Sequence, residues 1–189
     1  MASKRSPSKQ KKINPHFWVF CEGKTEESYV SLLRSKYRIP IEIVSKVVGN
    51  KITERFIKKY KQGKTTHKKD KDFLIYDADV AETLKSLRNI HTAQLIASNP
   101  SIELWFLLHY KNQSASITTK DCIRELCNRN RINYQKGIID AKLEAKLTEN
   151  CTHACERASK LKLYDNPSSN MNIFIEELEK ALAAKTVRE

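Results

Sequence analysis

No apolar run in this sequence reaches membrane length and no secretory signal is evident, so a membrane-spanning helix is not expected and the cytoplasm is. Cysteine is too sparse for a disulfide scaffold. The five present (Cys21, Cys122, Cys127, Cys151 and Cys155) are an odd number in a chain of 189 residues, which fits reduced thiols. Acids are outnumbered, with 22 Asp and Glu against 35 Lys and Arg, and the net charge of +13 points towards polyanions. A merely solvated basic surface accounts for that charge equally well. There is no internal repeat.

What is there suffices for a globular fold. A chain of this length with 40% hydrophobic residues can bury a core unaided, so its 30% charged content need not mean disorder. Residues 1–15 carry Lys4, Arg5, Lys9, Lys11 and Lys12 and no acid, which reads as a flexible basic tail that touches phosphates or simply solubilises. From Phe17 the elements alternate: strands at 17–21, 41–48, 73–76 and 93–98, and helices at 24–36, 51–61, 80–90 and from Pro100 through Tyr110. Such alternation predicts right-handed crossovers and a mainly parallel four-stranded sheet flanked by helices, spanning 16–112. After 112 the strand signals fade. Helices over 119–129, 138–163 and 170–185, with a break near Asn166-Pro167, predict a helical C-terminal extension, 113–189, packed on that sheet.

Two of the strands stop abruptly at acids. Glu22 follows Phe17–Cys21, and Asp77 and Asp79 follow Phe73–Tyr76. Functional groups of open α/β sheets sit at the carboxyl ends of strands. Two such ends can gather three carboxylates around one point, and hard oxygen donors suit Mg²⁺ or Mn²⁺. A divalent ion there would serve phosphodiester chemistry. In Asp-Ala-Asp the two side chains share a face if the strand continues. Glu26 lies one helical turn beyond Glu22, to enlarge the cluster or only to stabilise a helix start. Lys24, two residues after Glu22, is placed to neutralise transition-state charge.

The ordered set CEGKTEESY, YDAD, SNPSIELWFLLHY and NPSSNMNIFIEEL resembles the RloB-like family of bacterial TOPRIM-domain proteins, over about Phe17 to Leu182. The resemblance implies a TOPRIM-like fold, with Glu22 in acid-base or metal work and Asp77 and Asp79 holding Mg²⁺. It also implies a nuclease-type EGxxE motif ending at Glu26. It further implies a role in anti-phage defence or abortive infection beside a separate ATPase subunit; the chain itself lacks a GxxxxGK[ST] loop. Two positions depart from the pattern: Val80 follows Asp79 where a further acid is common, and Ser169 stands where threonine is expected.

Other residues leave alternatives open. Glu103 sits inside an apolar helix, where it either pairs with a basic residue or faces the metal pocket as a further acid. His109 either orients a phosphate or is a core histidine bonded to backbone. Asn99 and Ser98 line the pocket or cap the following helix. Lys58, Lys59, Lys61, Lys64, Lys68, Lys69 and Lys71 form a basic segment for nucleic-acid phosphates or a solvated loop. Their segment should leave the sheet at the end opposite the acids. Tyr134 and Lys136 are minor contributors from the helical cap. Cys151, His153 and Cys155 have no usual zinc spacing, and on a helix His153 points away from the two thiols.

The reading is a Mg²⁺- or Mn²⁺-dependent nuclease acting on DNA or RNA (tRNA included), with homo-oligomerisation left open. The alternative is a non-catalytic nucleic-acid-binding or sensor subunit of an ATPase-containing defence complex. A primase-like nucleotidyl transferase is a third reading, without any evident zinc-binding module.

Overall fold

The computed structural model describes residues 15–45, 47, 51–130 and 133–186. The basic tail read over 1–15 therefore lies almost wholly outside the described residues. The sheet has the order β2-β1-β3-β4-β5, formed by β1 (Phe17–Cys21), β2 (Ile41–Val44), β3 (Lys71–Asp77), β4 (Gln94–Asn99) and β5 (Ser168–Ser169). The first four strands pair in parallel, and β5 adds an antiparallel edge through Ser98↔Ser169. Four strands were expected, and the fifth is the difference. It comes from the second NPSS-type segment, where two serines carry no apolar signal but Ser169 Oγ and Ser98 Oγ hydrogen-bond at 2.9 Å.

The parallel strands read as continuous apolar runs because both faces of the sheet are covered. Side chains alternate between two cores. Phe17, Val19, Cys21, Phe73 and Ile75 face the larger one, and Trp18, Phe20, Leu74 and Tyr76 the smaller. The smaller core is closed by α2 (Glu54–Lys61) and α3 (Ala81–Arg88), through residues such as Ile57 and Leu87. The larger is closed by α1 (Lys24–Tyr37), α4 (Ile102–Leu108) and the C-terminal helices α5 (Thr119–Asn130), α6 (Ala141–Glu149), α7 (Cys151–Ser159) and α8 (Met171–Thr186). The C-terminal helices thus share one core with the sheet.

Helix α4 is buried along its entire length, as its all-round apolar sequence IELWFLL requires. The single helix expected over 138–163 is two, α6 and α7, divided at Asn150, which ends one and begins the other. The expected second strand over 41–48 is assigned over Ile41–Val44, although Val47 N–H still reaches the Cys21 carbonyl at 3.1 Å. Pro100 lies just outside α4, whose N-cap is Ser101.

Candidate functional site

The carboxyl ends of β1 and β3 are adjacent, since Cys21 pairs in register with Ile75. Glu22 and Asp77 leave these ends side by side: Asp77 N–H donates to Glu22 Oε2 at 3.3 Å. Asp77 in turn accepts from Ile102 N–H at 3.0 Å with its Oδ1. It thereby satisfies one of the free amides at the start of α4, which the Ser101 side chain does not cap. One carboxylate thus ties β3 to the central buried helix.

Glu26 is buried in the first turn of α1, its carboxylate folded back over Gly23 so closely that a Cβ there would stand 2.8 Å from Oε2. It accepts the Gly23 and Glu26 amides, so the helix-start role and a place in the acidic cluster coexist. Glu103 is wholly buried, accepting from Ser101 Oγ at 2.7 Å and from Tyr134 Oη at 3.0 Å, with Lys136 Nζ at 3.7 Å. Glu103 thus has the basic partner that one alternative expected, and it lies near enough to raise Asp77 and Glu26.

The electrostatics follow from crowding. Burial, then the charges of Glu26, Glu103 and Glu22, push the Asp77 carboxyl from its ordinary 3.8 up to about 8, against the pull of the Ile102 amide. Burial and then Glu103 and Glu22 raise Glu26, despite its own and the Gly23 amide. Burial also raises Glu22, partly offset by the Asp77 amide, with Asp79 adding repulsion. Like charges in a low-dielectric pocket cannot all ionise cheaply. Asp79 is exposed, beyond the end of β3, and the preceding Ala78 N–H still bonds the Ser98 carbonyl. Among the described residues no three His, Cys, Asp or Glu side chains are gathered as a ready metal-binding group.

The other sequence candidates fall elsewhere. Lys24 Nζ points to Glu27 at 3.5 Å rather than to Glu22. Asn99 Nδ2 donates to the Tyr164 carbonyl at 3.0 Å, which joins β4 to the C-terminal region. His109 caps the far end of α4, about 9 Å along the axis from Glu103 at 1.5 Å per residue. Its Nδ1 donates to the Trp105 carbonyl at 2.9 Å, the core-histidine arrangement. The neighbouring Cys151 thiol is lowered from its ordinary value, chiefly by the adjoining Cys155, while His153 stands outside, 3.7 Å from Glu156.

The basic segment lies at the opposite end of the sheet, as its position before β3 implied. Lys61 pairs with Asp72 at 2.7 Å, Lys64 with Glu42 at 2.9 Å, and Lys71 with Glu177. Lys58, Lys59, Lys68 and Lys69 are exposed. A surface groove of about 1030 Å³ runs there, lined by Arg55, Lys58, Lys59 and Lys61 but also by Glu54 and Asp72.

Sequence reasoning underrated the loop after α5. Gly137 N–H donates to Thr25 Oγ1 at 2.9 Å, and Ser28 Oγ donates to the Gly137 carbonyl at 2.7 Å. Thr25 and Gly137 carried no signal of this, because the contact spans more than a hundred residues. A polar side chain in the first helical turn was the available hint.

Fold and site together define an α/β protein with a mostly parallel sheet and a cluster of buried and partly buried carboxylates at its strand ends. Residues 17–178 match the RloB-like protein family, and the chain belongs to it. No curated protein and no solved structure matches the chain. Among the described residues no helix is long and apolar enough to cross a membrane.

Proposed function

We propose that this protein is a TOPRIM-type, Mg²⁺- or Mn²⁺-dependent nuclease, cytoplasmic, serving as the effector of an anti-phage or abortive-infection system with a separate ATPase subunit. One observation carries the reading: Glu22, Glu26, Asp77 and Glu103, from three distant segments, crowd until Asp77 is driven up to about 8. A cluster whose crowding drives one of its aspartates this far up is short of positive charge. Its donors are all hard oxygens, the set a Mg²⁺ or Mn²⁺ ion prefers.

Glu22 and Asp77, with the exposed Asp79, are the residues that would hold the ion. When bound, such an ion polarises a phosphoryl oxygen and acidifies a water. Glu22, half-buried and raised by burial, is suited to accept a proton from the attacking water, since a base with a pKa nearer neutrality transfers protons more effectively. Glu26 and Glu103 keep the cluster's field negative from behind. The exposed lysines at the far sheet end, Lys58, Lys59, Lys68 and Lys69, would give a salt-dependent grip on DNA or RNA that wraps the sheet edge.

The decisive assay incubates the full chain with plasmid DNA, single-stranded DNA and total tRNA in Mg²⁺, Mn²⁺ or EDTA, beside the Asp77→Asn/Asp79→Asn variant. Metal-dependent cleavage lost in the variant is expected. Cleavage retained by a folded variant would sink the assignment. A second reading, a non-catalytic nucleic-acid-binding subunit, is favoured by the exposed Val80 beside Asp79 and by the lack of a ready three-ligand group among the described residues. It predicts nucleic-acid binding without cleavage even when the ATPase partner is present.

A further inference from the structure

We propose that Lys136, paired with Glu103, is the pocket's built-in counter-cation, and that its charge opposes a divalent ion entering beside that carboxylate. The inference rests on the reading of the pocket as a divalent-cation site.

Among the described residues, the ion pair that reaches this cluster is Lys136 Nζ to Glu103 Oε1, at 3.7 Å. Its carboxylate is buried and its ammonium is not: the Glu103 side chain is 1% exposed and that of Lys136 54%. The loop that carries Lys136 is anchored on both sides. One residue later, Gly137 is clamped to Thr25 and Ser28 on α1. It adopts φ +80, and a Cβ there would stand 2.6 Å from Lys24 Cγ, so only glycine lets the loop lie this close. Two residues earlier, Tyr134 Oη is tied to Glu103 itself. Between these anchors the Lys136 backbone is fixed, while its long stem leaves the ammonium free to approach or withdraw.

Lys24 is the contrast. It has the same charge and lies nearer Glu22 in sequence, but pairs outward with Glu27. A cation within 4 Å of a buried carboxylate favours the ionised cluster. The same cation repels a second one entering that field. Removing Lys136 should therefore tighten divalent-ion binding, although it removes the positive charge that pairs with Glu103.

The test is calorimetric titration of the full chain with Mn²⁺ alone at low ionic strength, without nucleic acid. Wild type is compared with Lys136→Ala, with Lys136→Met (which keeps the apolar stem), with Lys24→Ala, which removes the same charge nearby, and with Asp77→Asn/Asp79→Asn. Both Lys136 variants are expected to bind Mn²⁺ about five-fold more tightly, the scale of a partly exposed ion pair, and Lys24→Ala to change little. Equal affinity for the Lys136 variants and Lys24→Ala, with wild-type binding that depends on Asp77 and Asp79, overturns the counter-cation and leaves the pocket's function standing. Weaker binding in the Lys136 variants overturns it likewise. Wild-type binding that is absent, or unaltered in the double Asn variant, removes the metal reading and the inference with it.

Discussion

The two ends of this sheet use the same residue types to opposite effect. At the amino ends of the strands, acids are neutralised one by one. Asp70 accepts from His16 N–H, Trp18 Nε1 and His67 N–H, and Glu42 from Lys64 and Tyr60. Hydrogen bonds from those partners bring Asp70 below its ordinary value against the opposing effect of burial, and Lys64 leads the lowering of Glu42. At the carboxyl ends, Glu22, Glu26 and Asp77 meet amides and one another, and all three are raised. Acids with partners hold a fold together. Acids crowded against one another store unfavourable charge, and such perturbed groups mark candidate functional sites.

The largest expected effect separates the ends by activity. Asp77→Asn/Asp79→Asn should lower cleavage at least about a hundred-fold. Lys58→Glu/Lys59→Glu, at the other end, should instead weaken nucleic-acid binding and flatten its salt dependence by about one unit of slope for each phosphate no longer neutralised. Binding measured at several salt concentrations checks the second. An unchanged slope would make the basic end ordinary solvated surface.

The next effect is in stability against pH. Asp77 is raised from 3.8 to about 8 in the folded protein, so between those values the folded state holds a proton that the unfolded state has released. Stability therefore falls as pH rises through that window and levels off above it, by an amount on the order of several kcal/mol. Asp70 and Glu42 act with the opposite sign: lowered when folded, they contribute stability above their unfolded values that is lost as pH falls through the folded ones. Denaturation midpoints from pH 4 to 9 should decline in wild type and flatten in Asp77→Asn. A wild-type curve that stays level would show that the crowding is relieved in solution.

Much of the architecture was legible because buried parallel strands leave apolar runs that end where the chain turns. The runs Phe17–Cys21 and Phe73–Tyr76 located β1 and β3, and the strand-end rule then located Glu22 and Asp77. The rest was hidden for physical reasons. Asn150 divides α6 from α7 without glycine or proline, by serving as the boundary of both. β5 is two serines held by a partner strand. Tyr134 and Gly137 reach Glu103 and α1 through contacts between segments far apart in the sequence, so no local pattern could weigh them properly. His109 carried two readings, and the side of α4 on which it lies was decided by the fold.

Smaller effects probe single partners. Tyr134→Phe removes one of two hydroxyl donors from the buried Glu103, and should cost about 1–3 kcal/mol by leaving a charged acceptor short of a partner. Chemical denaturation measures it, and Tyr134→Phe that is no less stable would mean that water replaces the hydroxyl.

The smallest effect comes from the opposite end, where Lys61 and Asp72 meet at 2.7 Å with side chains 20% and 11% exposed. Asp72 remains raised even so, because burial outweighs its lysine. Lys61→Ala should then cost only about 1 kcal/mol at neutral pH, since burial of Asp72 already offsets much of what the pair contributes. The cost should shrink further as pH falls and Asp72 protonates. A constant cost across that range would assign the loss to packing of the lysine stem over Trp18, whose ring lies 5.2 Å from the ammonium, and not to charge. That outcome would blunt the contrast between the two ends, because the acids at the amino ends would then be held by burial as much as by their cations.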